Sequence, residues 1–243
     1  MKAMIFAAGM GTRLKPLTDT KPKALVKVGD QPLLARTIDT LIESGADEIV
    51  VNVHHFASQI ISYLDEHSIA CPVKISDESS ELLDTGGGLK RALSLFSEQE
   101  TPVLIHNVDI LSNADLRDFY SRNKNNDATL LVSNRETSRY LLFDQDDFLV
   151  GWANIRTGEV RSPYSDLDVA SCKRYAFSGI HLFSPKLSTW MDVFPEKFPI
   201  MDFYLNVCDK VKIKADFRPN LRLLDVGKQD TLLAAESFLN NLK

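Results

Sequence analysis

Cysteine is scarce in this chain. The three present, Cys71, Cys172 and Cys208, are an odd number with no C-x-x-C pair and no Cys/His ligand spacing. A disulfide framework and a zinc site are therefore set aside, and a reducing, cytoplasmic setting is expected. Long apolar runs are missing too. No stretch approaches the roughly 18 residues of a membrane span, and the short run after Met1-Lys2 is cut off by Arg13 and Lys15, unlike a signal sequence. There is no low-complexity tract, internal repeat or linker. With 44% hydrophobic and 25% charged residues, 11 Gly and 10 Pro, the composition excludes collagen, coiled coil and wholesale disorder. A chain of 243 residues suits one α/β domain over 1–243, able to bury roughly 70% of its unfolded surface without a structural metal.

Positive charge is in the minority: 28 Lys and Arg face 33 Asp and Glu, for a net charge of −5. That balance argues against nucleic-acid or anionic-membrane partners. The first 27 residues run the other way, with Lys2, Arg13, Lys15, Lys21, Lys23 and Lys27 against Asp19 alone, a local +5 that leaves −10 on the remaining 216. A local excess of this kind suits a small polyanion such as a nucleotide, although a solvated basic edge would look the same.

Apolar periodicity predicts strands at Ala3–Ala7, Glu48–Val53, Pro72–Ile75 and Val103–Ile105. They alternate with helices marked by Leu34, Ile38, Leu41 and Ile42, by Phe56, Ile60 and Leu64, and by Leu89, Leu93 and Phe96, the last beginning after Gly86-Gly87-Gly88. Such alternation implies right-handed crossovers, hence a Rossmann-like, mixed but mostly parallel sheet with helices on both faces. The second half differs: Thr129–Ser133, Tyr140–Phe143 and Phe148–Ala153 lie too close together for helical crossovers and read as antiparallel strands or hairpins. Phe177–Phe183 and Leu221–Val226 are further strands, and Met201–Cys208 and Asp230–Leu242 further helices. The polar stretch Arg156–Lys173 reads as an irregular excursion over the active face, a candidate lid.

Ligands of doubly wound sheets sit outside the carboxyl ends of the strands, where three unusual segments fall: Ala8–Leu14, Asp84–Gly88 and Asn107–Asp109. The first is no dinucleotide fingerprint, because Leu14 stands where G-x-G-x-x-G wants a small residue, and G-x-x-x-x-G-K-[ST] occurs nowhere. What remains is a glycine loop followed by cations, suited to phosphates approached by backbone N–H groups. His54-His55 has no third ligand at metal spacing and reads as structural. No Ser/His/Asp or Cys/His arrangement is suggested.

The longer pattern Ala7-Ala8-Gly9-Met10-Gly11-Thr12-Arg13-Leu14-Lys15-Pro16-Leu17-Thr18, then Lys21-Pro22-Lys23, closely resembles the A-G-x-G-T-R-L-x-P-x-T and P-K signature of the sugar-1-phosphate nucleotidyltransferases. The likeness continues in order through Asp84-Thr85-Gly86-Gly87-Gly88, Asn107-Val108-Asp109, Phe177-Ser178-Gly179-Ile180 and Leu224-Asp225-Val226-Gly227. Within the family the chain is most similar to the short uridylyltransferases of N-acetylmuramate 1-phosphate and to the mannose- and heptose-1-phosphate guanylyltransferases.

The resemblance implies transfer of a nucleotidyl group from a nucleoside triphosphate, with UTP favoured, to a sugar 1-phosphate. Pyrophosphate is released and an NDP-sugar formed, by a monomer or homodimer. It casts Arg13 and Lys23 as catalytic cations on the phosphates, and Ala7, Ala8, Gly9, Gly11, Thr12, Asp84, Gly86, Gly87 and Asn107 as nucleotide-binding. Gly179 would contact the sugar, and Asp109 and Asp225 would hold Mg²⁺. Val108 replaces a common Gly, Asp84 a common Glu, and the Glu-Lys-Pro element of larger relatives is absent. No hexapeptide repeats follow, so the bifunctional acyltransferase relatives are not expected. The alternatives are guanylyl transfer to mannose or heptose 1-phosphate, a phosphocholine cytidylyltransferase, and a non-catalytic nucleotide- or sugar-sensing module of the same fold.

Overall fold

A computed structural model describes residues 1–242. The chain runs β1 (Lys2–Phe6), β2 (Lys27–Val28), β3 (Gln31–Pro32), α1 (Leu33–Glu43), β4 (Glu48–Val53), α2 (Ala57–Glu66), β5 (Val73–Asp77), α3 (Asp84–Leu93), β6 (Val103–Asn107), β7 (Ile110–Ser112), α4 (Leu116–Asn123) and β8 (Ala128–Ser133). It continues through β9 (Arg139–Phe143), β10 (Leu149–Asn154), β11 (Glu159–Arg161), β12 (Lys173–Phe183), α5 (Ile200–Val207), β13 (Ile213–Phe217), β14 (Leu223–Asp225) and α6 (Gln229–Asn240).

One ten-stranded sheet dominates, in the order β11-β10-β9-β12-β6-β1-β4-β5, with β8 paired to β12 and β13 to β8. The half built from β6, β1, β4 and β5 is parallel. From β12 outward through β9, β10 and β11 the pairing is antiparallel. The expected mixed sheet with helices on both faces is therefore present. Side chains alternate across β1 with period two. Ala3 and Ile5 enter one core with Leu34, Leu41 and Phe119, while Met4 and Phe6 enter the other with Leu89, Ile105 and Phe203.

Several expectations are corrected. The third helix includes Gly86, Gly87 and Gly88 rather than starting after them. Their poor helix propensity is overridden because the first turn of α3 packs so closely on neighbouring backbone that larger residues would not fit. Leu221–Val226 contributes only the three-residue β14, which pairs with β7 in a separate two-stranded ribbon. The stretch 156–173 is tethered: it contains β11, Ser162 Oγ donates to the Val150 carbonyl at 2.6 Å and Tyr164 OH to the Cys208 carbonyl at 3.2 Å. Helix α4 and strand β13 went unread, the former because only Leu116 and Phe119 carry its apolar face. Among the described residues the three cysteines are free, and no helix is long and apolar enough to cross a membrane.

At the sheet edge opposite the ligand loops, Glu48 opens β4 with its side chain only 5% exposed. Lys74 and Lys2 meet its carboxylate at 2.6 and 2.9 Å, and Ser97 donates to it from Oγ at 2.7 Å. Burial alone would raise the Glu48 pKa; the two ammonium groups and Ser97 outweigh it and hold the value at about 2. A depressed folded pKa contributes stability above the unfolded value, here 4.5, and loses it as pH falls through the folded one. Glu48→Gln is expected to cost about 2 kcal/mol at neutral pH. In urea titrations the gap between wild type and variant should close as pH falls from about 4.5 toward about 2.

Candidate active site

The glycine loop leaves β1 at Phe6 and turns at Gly11, whose φ of +66° falls in the left-handed region that favours glycine. Its carbonyl accepts from Leu14 N at 2.9 Å and from Thr18 Oγ1 at 2.8 Å, which fixes the short 3-10 turn carrying Thr12 and Arg13. The start of the loop is held from below. Asn52, at the end of β4, accepts from Ala7 N at 2.8 Å and donates to Glu78 Oε1 at 2.8 Å, and Glu78 Oε2 accepts from Leu83 N at 3.1 Å. Glu78 is fully buried, and burial pushes its pKa up against the opposing pull of Asn52 and Leu83.

A cavity of about 270 Å³ lies above the carboxyl ends of β1, β4 and β6. Ala7, Ala8, Gly9, Lys23, Asp84, Asn107 and Asp109 of the sequence-derived set line it, together with Asn52, Leu82 and Thr85. Gly11 and Thr12 continue the loop beyond this lining. Gly86 and Gly87 lie behind the wall rather than in it. Both N–H groups donate to the Phe198 carbonyl, at 2.8 and 3.3 Å, and a Cβ at Gly87 would stand 2.0 Å from the Glu196 carbonyl oxygen. Asp84 does not cap α3 as the preceding residue; Leu83 holds that position, and Asp84 sits at φ +60° with Oδ1 accepting from Thr85 N at 2.7 Å. Gly179, at φ +81°, lets β12 pass against Asn107: a Cβ there would come 2.9 Å from the amide nitrogen.

Asp109 and Asp225 come together although they are far apart in sequence. The ribbon pairs Asp225 with Ile110, and Val226 N donates to the Asp109 carbonyl at 2.8 Å. Lys23 makes an ion pair with Asp109, both side chains nearly buried, and Arg13 stands 3.9 Å from Asp225. Burial raises the Asp225 pKa and the Asp109 charge raises it further, opposed by Lys23 and Arg13. His106, beneath the site, donates from Nδ1 to the Asn107 carbonyl at 2.8 Å; burial lowers its pKa to about 4, so the ring is neutral. Among the described residues no third Asp, Glu, His or Cys joins the aspartate pair. Two hard carboxylates with room for water or phosphate oxygens suit Mg²⁺ and not a structural zinc.

Sequence reasoning missed Asn52, Glu78, Thr85 and Gly227. A polar residue inside the apolar run of β4 was a legible signal for Asn52. Gly227 belonged to a quoted motif, and a Cβ there would meet both Arg13 Nη2 and Asp225 Oδ1 at 2.6 Å. His54 is structural as expected, its Nδ1 lying 2.6 Å from the Glu78 carbonyl oxygen.

A profile described as nucleotidyl transferase matches residues 2–241. The N-acetylmuramate alpha-1-phosphate uridylyltransferase of Caulobacter vibrioides is 43% identical over 110 residues, 44% of this chain and 45% of that protein. The mannose-1-phosphate guanyltransferase of Emericella nidulans is 32% identical over 144 residues, 58% of this chain and 40% of the relative. The chain thus spans less than half the length of either. The crystal structure of HddC from Yersinia pseudotuberculosis complexed with GMP-PN superposes with a TM-score of 0.75 at 22% identity, covering 98% of this chain and 99% of that one, which shows a shared fold.

The two kinds of glycine can be separated by substitution. No atom lies within 4 Å of a Cβ built on Gly9, so Gly9→Ala should change stability by no more than about 0.5 kcal/mol. Gly87→Ala forces side chain into backbone and should destabilise by about 1–3 kcal/mol or more. Thermal unfolding of the unliganded variants measures both, and any loss of ligand binding in Gly9→Ala then reports on space in the cavity and not on the fold.

Proposed function

The chain belongs to the nucleotidyl transferase family, and on that premise we propose that it transfers a uridylyl group from UTP to a sugar 1-phosphate, releasing pyrophosphate. The observation that carries this reading is the meeting of Lys23, Arg13, Asp109 and Asp225 beside the cavity lined by the loop from Ala7 to Gly9. An oxygen of the sugar phosphate attacks the α-phosphorus, a new P–O bond forms, and the bond to the bridging oxygen breaks as the electron pair leaves with pyrophosphate. The protein has little covalent work to do, so positioning and charge neutralisation carry the rate.

Each residue's part follows from its place. The loop from Ala7 to Gly9 presents backbone without side-chain bulk to the triphosphate. Lys23 is held by Asp109 at the cavity wall, so its ammonium is positioned in advance to sit between the reacting phosphates. Arg13, more than half exposed, reaches the departing pyrophosphate. Asp109 and Asp225 would hold Mg²⁺, which when bound neutralises charge on the α-phosphate oxygens. Asp84 and Thr85 face the base and ribose, Asn107 the nucleotide, and Gly179 clears the approach of the sugar.

UTP is favoured because the Asp84–Gly88 turn resembles the uridylyl branch and because the Caulobacter relative is named as a uridylyltransferase. The relative named as a guanyltransferase makes GTP the competing reading. Thermal shift with UTP, GTP, CTP and dTTP in the presence of Mg²⁺ tests the base; stabilisation by GTP alone would overturn UTP. Lys23→Ala should lower turnover on the order of 10²- to 10³-fold. Lys15→Ala, which loses only an exposed pair with Asp19, should do far less. Asp109→Asn and Asp225→Asn should each abolish most pyrophosphate release while folding normally, with non-additive losses in the double variant. Full activity in either single variant would overturn the paired-carboxylate role, whereas no activity in the unsubstituted protein with any nucleotide and sugar phosphate would return weight to a non-catalytic sensing role.

A further inference from the structure

Glu78 is fully buried beneath a loop proposed to receive a triphosphate, where a carboxylate opposes the charge of the ligand. Its two oxygens are met not by a cation but by Asn52 Nδ2 at 2.8 Å and Leu83 N at 3.1 Å. The line of contacts continues toward the cavity, since Asn52 Oδ1 accepts from Ala7 N at 2.8 Å. β1, β4 and β5 are neighbours in the sheet, so the line crosses the carboxyl ends of three parallel strands and reaches the start of α3. Burying an anion in such a place costs free energy. The pattern of donors along the line supplies the reason for it.

Both ends of the line are backbone N–H groups, which can only donate. Ala7 N requires an oxygen from Asn52, and that leaves the Asn52 NH₂ group facing residue 78. Leu83 N donates to residue 78 from the other side. Position 78 must therefore accept twice, and of the isosteric pair glutamate and glutamine only the ionised carboxylate does so. A glutamine would set donor against donor at Leu83 or, after a flip of the Asn52 amide, at Ala7. There is no room for a repairing water: Asn52 is 2% exposed, and even a Cβ on Gly88 would stand 2.7 Å from Glu78 Oε1 and 2.9 Å from Asn52 Nδ2. Nor can residue 78 step aside, because its N donates to the Val53 carbonyl at 2.8 Å and its own carbonyl accepts from Glu81 N at 3.0 Å.

We propose that Asn52 and Glu78 are positioning residues for the nucleoside triphosphate, a pair that must hold one amide and one carboxylate so that the Ala7 donor is consumed below and the loop through Ala8 and Gly9 faces the phosphates. The inference rests on the transferase reading above and deepens it. The line of contacts fixes the number of carboxylates but not their order. With a carboxylate at 52 and an amide at 78, the carboxylate accepts from Ala7 N and from the amide NH₂, and the amide oxygen accepts from Leu83 N. Carboxylates at both positions set two buried anions against each other, and amides at both set two donors against each other.

An isosteric cycle of wild type, Asn52→Asp, Glu78→Gln and the double variant tests this. KM for the nucleotide and for the sugar 1-phosphate is measured in each with the preferred substrates, well below every melting temperature. Each single variant should raise the nucleotide KM by about 10- to 100-fold and leave the sugar-phosphate KM within about 3-fold of wild type. The double variant should bring the nucleotide KM back to within about 5-fold of wild type, far from additivity. Losses that add in the double variant overturn the inference, as does a wild-type nucleotide KM in Glu78→Gln. An equal rise in both KM values also overturns it, since that is what general loosening of the fold gives. If a single variant fails to fold, the double variant decides alone: it should fold and bind nucleotide, and its failure overturns the inference. If no acceptor turns over even in the wild type, the transferase reading fails by itself, and calorimetry with UTP and GTP in the presence of Mg²⁺ carries the same cycle as binding affinities. Affinity restored in the double variant then supports the pairing; affinity not restored, or no nucleotide bound by the wild type, overturns it.

Discussion

Asp109 and Asp225 are two like charges placed side by side in a partly buried setting, an arrangement that costs free energy unless cations face it. The fold enforces it with backbone rather than side chains: the β7–β14 ladder and the bond from Val226 N to the Asp109 carbonyl fix both residues whatever their charge. In the unliganded protein Lys23 and Arg13 supply the compensation. Under the proposed function a Mg²⁺ held by Asp109 and Asp225 would replace Lys23 and Arg13 as the partners of these carboxylates, and the two cations would then stand beside the phosphates without having been carried there from a distance.

The glycine loop depends on a second arrangement one layer below. A loop that offers backbone N–H groups to an anion cannot also satisfy them internally, so its anchor must lie at its root. Asn52 holds the loop at Ala7, and Glu78 orients Asn52 while accepting from the start of α3 at Leu83. The Asn52 and Glu78 side chains thus tie the loop to the Asp84–Thr85 turn across the cavity. Gly88 leaves the space for this network, since a Cβ there would stand 2.7 Å from Glu78 Oε1 and 2.9 Å from Asn52 Nδ2.

Much of this was legible in the sequence, and the boundary has physical causes. The parallel strands announce themselves as short apolar runs, and the cations and glycines proposed to face phosphate cluster in the first 27 positions. Asp109 and Asp225 emerged through their motifs, but no spacing announces the β7–β14 ribbon that joins them. Gly86 to Gly88 misled because propensity speaks for isolated helices, whereas here the close approach of Phe198 and Glu196 decides. Glu78 carried no pattern at all: its importance comes from burial, which a single charged letter conceals.

One strand ties the two halves of the molecule together. β12 pairs through Ile180–Phe183 with β6, which carries Asn107 at its end, and through Lys173–Tyr175 with β9, which carries Arg139. Between these segments its register against β8 slips between Phe177 and His181, and Gly179 takes a backbone conformation that most residues avoid. The irregularity therefore sits where the strand passes from its pairing with β9 to its pairing with β6, beside Asn107, and both pairings persist on either side of it. A continuous strand is a stiff support, so the place of Asn107 relative to the antiparallel extension is fixed before any ligand arrives, and a cavity assembled in advance has little further entropy to lose when it is filled.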